Sequence, residues 1–150
     1  MLNMIITVIL SIIILNILRK KLKEKKSSYS NNIHIAALYG DIDNIKKMIQ
    51  NGVNINTKDF SNKTTLMYAA EDGNLETIKF LIENGANIND IDIKKETALM
   101  IAIKNNNTEA AKILIEHNAD TNIKNEDNKT AYDIAKECKL EEIVNILKNN

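Results

Sequence analysis

Apolar and polar positions divide the chain into two parts of different character. Residues 2–18, LNMIITVILSIIILNIL, contain no charged side chain, whereas from residue 31 onward apolar residues recur at helical spacing between polar and glycine positions. These 17 residues would rise about 25 Å as a helix, close to the roughly 30 Å of a bilayer's hydrocarbon layer. The run predicts one transmembrane helix at residues 2–18. A buried helix of a soluble core is the disfavoured alternative, because a small domain rarely covers such a helix on all sides.

A basic cluster follows the apolar run. Residues 19–26, RKKLKEKK, carry six basic groups and one acidic group, and no basic group precedes residue 19. This order favours a retained anchor over a cleaved signal peptide, and the positive-inside rule then places the N-terminus outside and the rest of the chain in the cytoplasm. The cluster from Arg19 to Lys26 would contact anionic lipid. Export of the whole domain to the outside is the alternative topology.

The remainder of the chain is mildly acidic. Apart from the basic cluster, 14 basic and 19 acidic residues give a net charge of −5. Nucleic acid is therefore an unlikely partner, since phosphate binding requires a basic face. Cys138 is the single cysteine, so no intramolecular disulfide can form.

The chain repeats itself at an offset of 33 residues. The apolar positions that align at this offset fall into three sets: Ala36, Ala69, Ala102 and Ala135; Ile45, Ile78, Ala111 and Val144; Met48, Leu81, Leu114 and Leu147. A fixed period of this length is typical of a solenoid of stacked supersecondary units. The alignment predicts four units, near residues 31–58, 59–91, 92–124 and 125–150.

Each unit is predicted to be a helix, a turn and a second helix. In residues 64–89, Thr64 can cap the first helix, Gly73 can end it in the left-handed conformation, and Gly85 can close a second helix from about Leu75 to Asn84. The corresponding caps in the other units are Asn31, Thr97 and Thr130. The polar loop ANINDIDIKKE that follows indicates a hairpin-like protrusion rather than a sheet.

This 33-residue unit, T-x-L-x-x-A-A-x-x-G-x-L-E-x-I-x-x-L-I-x-x-G-A-x-I-N, resembles the ankyrin repeat. The resemblance covers residues 31–150 and implies an all-α fold, an ankyrin-repeat solenoid of about four helix-turn-helix units, here preceded by the transmembrane helix. Residues 19–30 would be a basic juxtamembrane segment and linker.

The sequence departs from the family pattern at the starts of the first helices and at several turns. The usual Thr-Pro is Thr-Thr or Thr-Ala, and Asn106 and Asn118 stand where glycine is expected. Asparagine tolerates the left-handed region, so the fold is expected to survive. Lys139 takes the glycine position of the fourth unit, whose last helices carry enough polar residues to form a C-terminal cap.

Candidate chemistry is sparse. His34 falls where the family commonly has a structural histidine, His117 ends a second helix, and Cys138 has no base beside it in sequence. Asp90 and Asp92 open a loop with calcium-like spacing, but Lys95 replaces the glycine and Ile101 the final glutamate that such a loop needs. The sequence predicts no enzyme, no metal, no cofactor and no small-molecule substrate.

The resemblance implies that a protein partner binds in a concave groove formed by first helices and loop tips. Carried over position by position, the groove residues are Leu38, Tyr39, Glu71, Asp72, Lys104 and Asn105. The loop-tip residues are Phe60, Ser61, Lys63, Ile93, Lys94, Glu96, Glu126, Asp127 and Lys129. The apolar and aromatic members suggest the centre of an interface: Leu38, Tyr39, Phe60 and Ile93.

The sequence thus predicts a membrane-tethered ankyrin adaptor that binds an unidentified protein. A regulatory inhibitor that covers the active site of an enzyme or toxin is the alternative function.

Overall fold

The computed structural model describes residues 32–149, together with the isolated positions Ile14 and Ile17. Within residues 32–149 the secondary-structure elements are all helices, which loops and turns connect. In chain order these are α1 (Ile33–Leu38), α2 (Ile42–Gln50), α3 (Thr65–Asp72), α4 (Leu75–Glu83), α5 (Ala98–Lys104), α6 (Thr108–Glu116), α7 (Ala131–Glu137) and α8 (Glu141–Lys148). The described part is therefore all-α, as the sequence predicts.

The N-terminal predictions fall largely outside the described residues. They comprise the transmembrane helix at 2–18, the basic segment and linker at 19–30, and the helix cap at Asn31. Among the helices that the structure does describe, none is both long enough and apolar enough to cross a membrane.

Threonine caps start three of the four first helices, as predicted. The hydroxyl oxygens of Thr64, Thr97 and Thr130 each accept a hydrogen bond, at 3.3 Å, from the backbone amide three residues later. Each bond satisfies one of the amides that a helix start leaves without an intrahelical partner. The missing proline is thus tolerated because the threonine side chain still fixes the first turn.

Left-handed residues end the helices at the predicted turns. Gly73 has φ +77°, and Asn106, Asn118 and Lys139 have φ +60°, +63° and +58°. The predicted survival of the turns without glycine is therefore confirmed. A non-glycine residue in this region costs roughly 1–2 kcal/mol, and lysine lacks the local hydrogen bonding that helps asparagine.

Two layers of helices enclose the core. The first helices α1, α3, α5 and α7 pack in series, each on the next, and each second helix packs on the first helix of its own unit. Alanines at Ala36, Ala69 and Ala102 are buried between first helices, where their small size allows close approach. Leu81 and Leu114 are fully buried on the second helices, where each side chain stabilises the fold by roughly 2 kcal/mol.

The outward side of the last helix pair is polar. Met100 and Ile103 of α5 are buried, but the residues 33 positions later, Asp133 and Lys136 of α7, are exposed. These two side chains provide the polar surface that the end of a solenoid needs.

Hairpin-like loops connect the units, without forming strands in the described part of the chain. Lys58 and Thr64 make a single antiparallel bridge at the base of one loop. Between loops, the amide of Ile93 donates to the carbonyl of Ser61 at 3.0 Å, and that of Glu126 donates to the carbonyl of Lys94 at 2.9 Å. Successive loops therefore lie side by side, one backbone hydrogen bond per boundary.

Candidate functional site: the loop–helix surface

The candidate site combines the three hairpin loops with the C-terminal ends of the first helices. We call it the loop–helix surface, formed by residues 59–63, 92–96 and 125–129 of the loops and by residues 38–39, 71–72, 104–105 and 137–138 of the helix ends. Because both sets recur every 33 residues, the loops form one row and the helix ends another. All fifteen residues proposed from the sequence as partner contacts fall within these ranges.

Two large apolar side chains stand next to each other at the loop tips. Phe60 is fully exposed, at 108% of its reference area, and Ile93 is 59% exposed. They occupy equivalent positions of neighbouring loops, which the hydrogen bond between Ile93 and Ser61 holds together. Neither side chain contributes to the hydrophobic core, so packing gives no reason for an apolar residue at either tip.

A side chain at the base of each loop fixes the conformation of its tip. One carboxylate oxygen of Asp59 accepts hydrogen bonds from the amides of Ser61 and Lys63, both at 2.8 Å. Asp92 makes the same pair of bonds with the amides of Lys94 and Glu96, at 2.8 and 2.9 Å. Such turns hold the tips in a defined orientation before any partner binds.

Several charged residues of the surface are paired within the protein. Nζ of Lys63 lies 2.9 Å from Oε2 of Glu71, and Nζ of Lys104 lies 2.6 Å from Oε1 of Glu96. Glu96 is only 7% exposed, so this predicted loop-tip contact is a buried group rather than an accessible one. The hydrogen bond with Glu96 raises the pKa of Lys104 despite the opposing effect of burial. These four side chains already have partners, and a bound protein would have to compete for them.

The remaining helix-end positions differ in accessibility. Leu38 is half-buried, Tyr39 is 57% exposed, and Asp72 and Asn105 are exposed. The amide of Asn105 donates back to the carbonyl of Ile101 at 2.9 Å, which closes the end of α5. Tyr39 therefore offers the largest accessible side chain in this row.

Tyr68 connects the loop of the second unit to its first helix. Its hydroxyl donates to Oδ2 of Asp59 at 2.8 Å, and Nζ of Lys63 lies 5.4 Å from the ring centroid. Burial, together with the bond to Asp59, raises the pKa of Tyr68 to about 12. Burial alone would raise the pKa of Asp59, but hydrogen bonds from Tyr68, Lys63 and Ser61 outweigh it and lower that pKa.

Comparison with known families identifies the repeated unit that these helix pairs form. A family model described as ankyrin repeats (3 copies) matches residues 9–92, 33–125 and 88–150. The chain belongs to the ankyrin-repeat family. Ankyrin repeats are protein–protein interaction modules and are typically not enzymes. Among curated proteins, no sequence matches the chain closely enough to count as a relative.

Both histidines of the ankyrin domain bind backbone carbonyls. Nε2 of His34 donates to the carbonyl of Thr57 at 3.0 Å, and Nδ1 of His117 donates to that of Ile113 at 2.8 Å. Cys138 is exposed at the end of α7. No cluster of metal-ligating side chains occurs among the described residues. The structural role predicted for the histidines fits these contacts.

A shallow, charged depression lies where α5 faces α7. Its volume is about 290 Å³, and it is lined by Lys104, Asn125, Asp127, Lys129, Ile134, Glu137 and Cys138. Lys129 and Glu137 form an ion pair there, with Nζ 2.8 Å from Oε1. Polar lining of this kind does not resemble the mostly apolar pocket that binds a small molecule.

Sequence reasoning missed the residues that shape the ankyrin loops. Asp59, Asp92 and Asn125 recur at the same 33-residue offset as the apolar positions, and each accepts two backbone hydrogen bonds. Their 33-residue spacing could have indicated a shared structural role from the sequence alone. Tyr68 left no such signal, because the equivalent residues of the next units are Ile101 and Ile134.

Proposed function

We propose that this ankyrin protein binds a protein partner through the loop–helix surface, with Phe60 and Ile93 at the centre of the interface. The observation that supports this proposal is the pair of neighbouring exposed apolar side chains on tips that Asp59 and Asp92 hold in place. Large apolar residues on preorganised loops are typical of binding hot spots, because little conformational entropy is lost on association. Tyr39 extends the apolar contact along the helix-end row.

A photo-crosslinking amino acid at position 60, introduced in the producing cells, tests this proposal. We expect one dominant crosslinked protein, and we expect its yield to fall at least tenfold in the Ile93→Ala and Tyr39→Ala backgrounds. Leu75→Ala is the matched control, since Leu75 is similarly apolar and 37% exposed but begins α4 in the other helix row. An equal loss in the Leu75→Ala background, or no loss in the Ile93→Ala background, would contradict the proposed interface.

We further propose that residues 2–18 anchor the ankyrin domain to a membrane, with residues 19–30 as the linker and the domain in the cytoplasm. The support is the uncharged run at 2–18 and the basic cluster from Arg19 to Lys26, which fits anionic headgroups on the inner leaflet. Tethering would raise the effective concentration of the domain near a membrane-associated partner.

Cys138 provides the test of this topology, because it is the single cysteine and its thiol is exposed. A membrane-impermeant maleimide is added to intact cells and to lysed cells, and carbonate-washed membranes are analysed in parallel. An anchored cytoplasmic domain remains in the membrane pellet and is labelled only after lysis. Labelling in intact cells would place the domain outside, and loss from the washed membranes would rule out the anchor.

A further inference from the structure

The three ion pairs of the loop–helix surface occupy equivalent positions with alternating polarity. The loop member is Lys63, then Glu96, then Lys129, and the helix-end member is Glu71, then Lys104, then Glu137. Each pair joins a loop to the helix that follows it, eight residues later. The contact is thus retained along the stack while its charges are inverted from one unit to the next.

Neighbouring pairs lie on loops and helices that contact each other. The loops touch through the hydrogen bonds from Ile93 to Ser61 and from Glu126 to Lys94, and α3, α5 and α7 pack in series. Packed helices lie about 8–10 Å apart, comparable with the screening length of about 8 Å at physiological salt. Charges in one row are therefore only partly screened from the equivalent charges of the next unit.

The surroundings of Lys104 illustrate this coupling across a boundary. Lys104 in α5 lines the same depression as Asp127 and Glu137 of the following unit. After Glu96, the carboxylate of Asp127 contributes to the raised pKa of Lys104. On the helix-end row, Lys104 thus stands between Glu71 on one side and Glu137 on the other.

We propose that the alternating polarity of these pairs couples each ankyrin unit electrostatically to its neighbours and disfavours stacks in which a unit is skipped. In the native order, every pair lies beside pairs of opposite polarity, so attraction acts along both rows. If the second and fourth units stacked directly, lysine would lie beside lysine and carboxylate beside carboxylate. Repeat proteins are prone to such misassembly because their units share one packing pattern.

Inversion of the last pair, Lys129→Glu with Glu137→Lys, tests the coupling in the full chain. The two side chains are 38% and 56% exposed, so the change preserves the pair and disturbs no core packing. At low ionic strength we expect the urea midpoint to fall by about 0.3 M, because position 137 is then cationic in the depression that Lys104 also lines. In 1 M NaCl, where the screening length is about 3 Å, the deficit should vanish.

Lys129→Gln with Glu137→Gln is the matched control, since it removes the pair without placing like charges together. We expect the midpoints at low salt to decrease from the natural protein to the neutral variant to the inverted variant. An inverted variant as stable as the natural protein at low salt, or a deficit that persists in 1 M NaCl, overturns the proposal. If the inverted variant does not fold at low salt, recovery of its helical circular dichroism in 1 M NaCl supports the coupling, and failure to recover refutes it.

Discussion

The Tyr68 hydroxyl and the Asp59 carboxylate each shift the proton affinity of the other. The bond between them requires Tyr68 to be protonated, and it is stronger when Asp59 is ionised. Since the pKa of Tyr68 is raised from 10 to about 12, its contribution to stability is complete below pH 10 and is lost between pH 10 and about 12. Since the pKa of Asp59 is lowered, its contribution is present above its unfolded-state pKa of 3.8 and is lost as the pH falls through the folded-state pKa.

Tyrosine titration tests this arrangement. In an alkaline titration followed by tyrosinate absorbance, we expect Tyr68 to ionise late, near pH 12, and the Tyr68→Phe variant to lose that step. Asp59→Asn should move the step toward the ordinary tyrosine value, because the nearby negative charge is removed. Tyr132→Phe serves as the control and should retain the late step. A late step that survives Tyr68→Phe would contradict the assignment.

Two adjacent threonines at the start of α3 differ in what their hydroxyls do. The hydroxyl of Thr64 caps the helix by accepting from the amide of Met67. Thr65 is fully buried, and its hydroxyl has no hydrogen-bond partner among the described residues. A buried polar group without a partner lowers stability, whereas a capping group raises it.

Substitution by valine, which has nearly the same shape, should therefore have opposite effects at these two positions. We expect Thr65→Val to raise the free energy of unfolding by about 1 kcal/mol, because it removes an unsatisfied hydroxyl. We expect Thr64→Val to lower it by about 1 kcal/mol through loss of the cap. Urea unfolding of both variants provides the comparison, and a destabilised Thr65→Val protein would show that its hydroxyl has a favourable role.

At the scale of elements, glycine turns and asparagine caps join consecutive helix pairs. A Cβ at Gly73 would lie 2.7 Å from Cγ of Asn107, whose amide donates to the carbonyls of Ala70 and Glu71 at 3.0 and 2.9 Å. A Cβ at Gly40 would collide in the same way with the side chain of Asn74. Asn107 therefore connects the start of α6 to the end of α3, across the boundary between units.

Gly73→Ala should destabilise the protein in two separable ways. The positive φ costs roughly 1–2 kcal/mol for any residue with a Cβ, and displacement of the Asn107 side chain adds to that cost. Gly85→Ala is the matched control, because Gly85 has φ +88° but no atom within 4 Å of its would-be Cβ. We expect urea unfolding to show a larger loss at Gly73 than at Gly85.

Asn107→Ala in the Gly73→Ala background completes the comparison. Without the Asn107 side chain, Gly73→Ala should lower the free energy of unfolding about as much as Gly85→Ala does. If Gly73→Ala and Gly85→Ala lower the free energy of unfolding equally with Asn107 present, a Cβ at position 73 causes no strain against Asn107.

For the whole molecule, sequence reasoning succeeded where the cause is local. Helix starts at Thr64, Thr97 and Thr130, and turns at Gly73 and Asn106, depend on a few neighbouring residues and could be placed from the pattern. The buried alanines followed from the period, because a stack buries the same face of every unit.

Features that depend on distances between elements could not be placed in this way. The pairing of Glu96 with Lys104 joins a loop to a helix end, and its burial cannot be read from a charged residue in a polar loop. The bond from Asn107 to Ala70 crosses 37 residues of sequence. The division of the candidate surface into paired and accessible charges therefore required the structure.

The contact between Gly73 and Asn107 also has an evolutionary consequence. Since the asparagine occupies the space that a Cβ would need, the two positions should covary, with glycine replaced only where the asparagine of the next unit is absent. One boundary within this chain already shows the exchange. Asn106 stands in the glycine position, and Leu140 stands where the asparagine would be. In related ankyrin units, loss of the asparagine should therefore precede or accompany loss of the glycine.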